Sequence, residues 1–176
     1  MNPETWLVRG TIWLALSLYV GAELATARWQ GGRASLARML NTAGCAAFLA
    51  HVAAAFHFHH GWSHAAAYEA TALQTAEFTG WHWGGGLFVN YLFAALWLAE
   101  VAWRWGSPDN HRRRPRWRNG LARGGFLFMI FNGAVVFVRG PARWYGLALC
   151  LILLGCWWPR PKAATNPQGT TGLPSP

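Results

Sequence analysis

Residues 6–26 and 36–58 form two apolar stretches of more than twenty residues, in which the only Arg, Glu or His residues are Arg9 and Glu23 in the first and Arg38, His51 and His57 in the second. A helix rising 1.5 Å per residue needs about 20 such residues to cross the roughly 30 Å hydrocarbon core of a bilayer. No water satisfies the backbone there, so an isolated spanning segment must close its hydrogen bonds on itself. The expected fold class is therefore all-α: a polytopic transmembrane helical bundle. Segments 83–103, 121–138 and 144–158 bring the expected count to about five spans in a single domain, residues 1–158. The fourth is the shortest in apolar length. Its uncharged part, 126–138, reaches spanning length only if 121–125 join it and Arg123 snorkels. A re-entrant hairpin of the last two segments is the alternative.

Composition supports this class. The chain is 53% hydrophobic and 12% charged, about half the charge of a soluble domain. Its thirteen tryptophans and ten phenylalanines suit membrane–water interfaces. The net charge of +9 comes from fourteen arginines and one lysine, seven of them between Arg104 and Arg123. Such clustering beside apolar segments is what the positive-inside rule produces, and no stacking module for nucleic acid accompanies it. Cys45, Cys150 and Cys156 lie in apolar runs without a CxxC spacing, so they read as small buried hydrophobes.

The arginines also set the expected topology. Arg28–Arg38, Arg104–Arg123 and Arg160–Lys162 alternate for five spans, with the N-terminus outside and the C-terminus cytoplasmic; Arg139 and Arg143 are discordant. Residues 159–176, rich in Pro, Gly, Thr and Asn, are expected to be a disordered cytoplasmic tail. The excess of Arg over Lys and the abundant Ala suggest a bacterial inner membrane. Ala25-Thr26-Ala27 resembles a signal-peptidase site, but Glu4 dilutes the basic n-region and the arginines that follow resist translocation. An acidic residue such as Glu23 or Glu100 near a span's end reads as interfacial.

Chemistry concentrates in residues 51–83, which hold six of the seven histidines together with Glu69 and Glu77. Gly61 is expected to break or bend the second helix. Ser63 is placed to cap a new, interfacial helix from His64 to about Phe78, ended by Thr79-Gly80. If the helix instead continues through Gly61, then His57, His60 and His64 share one face. His82 returns to the same membrane surface. His51 lies roughly 9 Å deeper than His57.

Imidazole is the commonest ligand of transition metals in proteins. The leading expectation is a Zn, Cu or Fe site built from His57, His60, His64 and His82, with His51 and Glu69 as secondary ligands, in a protein of redox or metal-handling function. A b-type haem held by His82 with His57 or His51 is one alternative. A proton or ion path along His51, Asn90 and Asn132 is another. The remaining one is a non-catalytic membrane subunit whose histidines anchor helix ends, with a protein partner or a second copy beside it. No GxSxG and no HExxH occurs to suggest a hydrolase.

Overall fold

The computed structural model describes residues 3–28, 34–138 and 140–158. The expected disordered tail, 159–176, lies outside the described residues, as do Arg139 and the loop residues 29–33. Helices α1 (Pro3–Arg28), α2 (Ala34–His60), α3 (His64–Thr79), α4 (Gly86–Gly106), α5 (Pro108–Arg112), α6 (Arg116–Phe131) and α7 (Ala142–Trp157) follow in order. A five-residue π segment, Asn132–Val136, continues α6. No strand occurs among the described residues.

Three helices are long and apolar enough to cross a membrane: Pro3–Ala27, Ala34–His60 and Gly86–Gly106. The expected count of about five is not reached on that criterion, because α6 and α7 have only 16 residues each and the first half of α6 carries Arg116, Arg118 and Arg123. The third of them also starts later than expected. Trp83, Gly84 and Gly85 precede α4, since Gly84 is pressed against α3: a Cβ there would lie 2.5 Å from the Tyr68 carbonyl oxygen.

One core draws on five helices. Ala15, Leu16, Tyr19 and Val20 of α1 meet Cys45 and Phe48 of α2, Phe93 and Trp97 of α4, Phe126 and Ile130 of α6, and Leu149, Cys150 and Leu153 of α7. On α2 the buried Ala37, Asn41, Gly44 and Phe48 recur at spacings of three and four, the stripe that one helix face presents to a neighbour. Gly44 brings α2 onto α1, because a Cβ there would sit 3.2 Å from both the Ala15 carbonyl and the Trp97 ring. Small residues allow such approach between membrane helices. Trp97 is fully buried at the centre. It meets Tyr19 and Phe126 edge-on at 5.7 and 5.0 Å, and its indole N–H donates to Asn41 Oδ1 at 3.3 Å.

The helices alternate in direction. Val8 of α1 lies near His51 of α2, and Trp13 near Tyr145 of α7. Glu23 of α1 meets Arg104 of α4, Arg123 of α6 and Trp157 of α7. So α1, α4 and α7 run one way and α2 and α6 the other. One end of the bundle gathers histidines and the other gathers arginines. Phe88, Leu92 and Leu96 of α4 and Leu151 and Leu154 of α7 are exposed on the flanks, an apolar belt of the kind lipid tails cover.

At the histidine end the chain reverses through Gly61 and Trp62, both with positive φ (52° and 62°). Ser63 Oγ accepts from Ala66 N–H and caps α3. Gly80, at φ 75°, closes α3 by donating to the Ala76 carbonyl. Ring contacts from His64 to Tyr91 and from Phe78 to Phe137 lay α3 across the end of the bundle, from α4 to the π segment. The expected interfacial helix is thus folded over the bundle.

Candidate functional site

The structure brings no three of the histidines together as a metal-binding group among the described residues. The reversal at Gly61-Trp62 ends α2 at His60, so His57, His60 and His64 share no common helical face. Each finds a local partner instead. Trp62 Nε1 donates to His57 Nδ1 at 3.3 Å. His60 packs edge-on against Phe56, with His59 beside it. His64 Nδ1 and the Tyr91 hydroxyl share a hydrogen bond of 2.9 Å. His82 Nε2 donates to Glu69 Oε1 at 3.0 Å, an exposed pair of small energetic weight. His51 donates from Nδ1 to the Val8 carbonyl at 2.8 Å. Among the described residues no three His, Cys, Asp or Glu side chains are grouped to hold a metal ion.

The residues expected to hold a haem or to line a polar path each have their own surroundings. His51 faces α1, while His57 and His82 lie exposed at the end of the bundle. Asn132 donates to the Phe128 carbonyl of its own helix at 2.9 Å, where the π segment begins, and Asn90 is exposed.

The arginine end is where charged groups converge. Glu23 is only 5% exposed. Its Oε2 accepts from Trp157 Nε1 at 2.8 Å, and Arg104 and Arg123 approach its two oxygens at 3.6 Å. Glu100, one turn before Arg104, accepts from Arg104 Nε at 3.2 Å, from His111 Nε2 at 2.7 Å and from Arg114 Nη1 through both oxygens at 2.8 Å. A carboxylate only accepts, so His111 carries its proton on Nε2. Arg114 also donates from Nη2 to Asn119 Oδ1 at 2.5 Å. The reading of Glu23 and Glu100 as interfacial acids needs correction: both are enclosed by guanidinium groups, because a buried carboxylate requires paired charge.

Local sequence sets this up. Glu100 and Arg104 are an i,i+4 pair on α4. Pro108 opens the short α5 and Pro115 precedes α6, folding the chain back so that His111 and Arg114 reach Glu100. A cavity of about 470 Å³ lies among these groups, with Glu23, Arg38, Arg104, Arg112, Arg114 and Arg123 in its wall. Five guanidinium groups there face two carboxylates, Glu23 in the wall and Glu100 behind it, an excess of three positive charges. No carboxylate among the described residues pairs with Arg38 or Arg112. Arg38 stacks over Trp105 at 4.9 Å, and its Nε is buried without a hydrogen-bond partner among the described residues.

Sequence reasoning missed Glu23, Glu100, His111 and the five inward arginines as a unit. The available signal was a lone acid near the arginine-rich end of each of two apolar helices. No family model matches this chain, and the searches of curated proteins and of solved structures found no match either. Fold and site together define a class: an all-helical protein with three helices long and apolar enough to cross a membrane and a charged pocket at one end of its bundle.

Proposed function

We propose that this is a five-span protein of a bacterial inner membrane, with its arginine end in the cytoplasm, and that the arginine pocket binds an anionic, phosphate-bearing ligand. Five alternating helices around one core support the span count. The α6–π run, residues 116–136, has 21 residues, roughly 31 Å of helix at 1.5 Å per residue. Location of the arginines at one end supports the orientation.

The observation that carries the ligand reading is the pair Arg38 and Arg112 on the wall of a cavity whose other cations are already held by Glu23 and Glu100. Positive-inside placement explains why arginines lie at this end. It does not explain why they turn inward around a space. Guanidinium groups held in place by carboxylates form a preorganised fork for phosphate oxygens. In this reading the histidine end is a cap: α3 covers the opposite mouth of the bundle, and its histidines fasten helix ends.

The test is thermal unfolding of the detergent-purified full chain in inorganic phosphate and in chloride at matched ionic strength. Phosphate at a hundred times its Kd is expected to add about 2.7 kcal/mol of stability. Arg38→Gln is expected to weaken phosphate about tenfold, from a charge-assisted hydrogen bond of about 1.5–3 kcal/mol, and Arg112→Gln less because it is exposed. Equal shifts in phosphate and chloride would sink the reading.

A further inference from the structure

Between α4 and α6 a second cleft of about 200 Å³ opens on the flank of the bundle. Leu96, Trp103, Leu121 and Phe126 line its length, and Arg114, Arg118 and Glu100 line it at the arginine end, the carboxylate being held by Arg104, His111 and Arg114. Arg114 therefore borders both this cleft and the charged cavity. Leu96 and Leu121 are exposed, so the mouth faces the side that the apolar belt gives to lipid tails. Phe93, also in the cleft, is ten residues from Trp103, roughly 15 Å of helix.

Resting on the anion-pocket reading, we infer that the ligand is an anionic membrane phospholipid: its phosphate lies in the charged cavity, Arg118 flanks the rest of its headgroup, and one acyl chain passes Arg114 into the α4–α6 cleft. Two features on one site carry this. A soluble phosphate compound would use the arginines and leave the apolar slot without an occupant. A lipid presents a phosphate and a hydrocarbon chain joined end to end, in the order in which the cleft presents guanidinium groups and apolar walls. The slot opens toward the bilayer flank, where such a ligand is already concentrated. Arg118 stacks on the exposed Trp117 at 5.3 Å, a cation–aromatic pair suited to headgroup depth. Basic residues between membrane helices on the cytoplasmic side are the general setting for anionic headgroups.

Two substitutions separate the lipid from a free phosphate. Gly125 lines the cleft, and a Cβ built there meets nothing within 4 Å, so Gly125→Leu fills the slot without displacing the backbone. Arg118 forms no ion pair among the described residues and does not line the charged cavity, so Arg118→Gln leaves that cavity intact. Native mass spectrometry of the full chain, offered phosphatidylglycerol or phosphatidylcholine with the same acyl chains, should show at least a fivefold preference for phosphatidylglycerol. Each variant should lower phosphatidylglycerol retention at least fivefold while the melting shift in inorganic phosphate stays as in the parent. Should Gly125→Leu fail to fold, Arg118→Gln decides. Unchanged retention in the folded variants, with phosphate still binding, overturns the lipid and leaves a free phosphate as ligand. If neither phosphate nor phosphatidylglycerol binds the parent protein, the pocket reading falls together with the lipid.

Discussion

Replacing Glu23 by glutamine removes one charge and almost no volume from the most enclosed carboxylate of the pocket. The glutamine carbonyl still accepts from Trp157 Nε1, which lies 2.8 Å from Glu23, so the change isolates the charge. Arg104 and Arg123, each 3.6 Å from Glu23, lose their shared counter-ion. Removing one partner of a buried ion pair destabilises by about 3–5 kcal/mol, because the remaining charge stays desolvated. Arg104 keeps Glu100 at 3.2 Å, and Arg123 is a third exposed and stays partly hydrated. The expected loss therefore falls at the lower end, about 3 kcal/mol. At about 2–4 °C per kcal/mol for a chain of this size, the melting temperature in detergent should fall by roughly 6–12 °C. Glu4→Gln, at the exposed start of α1, is the matched control and should stay within about 1 kcal/mol. If both variants melted together, the arginines would owe their neutrality to solvent, and the case for a pocket preorganised by buried carboxylates would be refuted.

At the other end, Gly84→Ala drives a methyl into the Tyr68 carbonyl, since the Cβ falls 2.5 Å from that oxygen and a backbone atom cannot swing aside. A loss of about 1–3 kcal/mol is expected, concentrated in α3; hydrogen exchange over residues 64–79 should rise, and parental protection there would contradict the docked position of that helix. The separated histidines predict that elemental analysis of untagged protein finds less than one zinc, copper or iron per chain, unchanged by His57→Ala. One equivalent of metal lost with that substitution would restore the histidine site.

The all-helical class of this protein and the position of its first two helices were legible because membrane crossing imposes a length and a composition on each segment separately. Residues 6–26 and 36–58 satisfied both, and α1 and α2 contain them. The cap at Ser63 and the stop at Gly80 were equally local, each depending on a side chain or a φ angle within one turn. The shared face of His57, His60 and His64 depended on a helix continuing past Gly61, where a break or bend was expected. A positive φ at Gly61 was foreseeable; the same conformation at Trp62, which completed the reversal, had no signal in composition or spacing.

Sequence alone thus determined that the chain is all-helical, apolar enough for a bilayer and basic at alternate loops, since these follow from hydrophobic length and charge placement along the chain. Only the tertiary structure decided that Glu23, from the first helix, stands with Arg104 and Arg123, some eighty and one hundred residues on, about a cavity that Arg38 and Arg112 leave positive. The physical reason is that a charge buried at a helix end must find its counter-charge in space. Which of fourteen arginines supplies it depends on how the helices cross, and that is fixed by the packing of Gly44, Trp97 and Phe126 in the core.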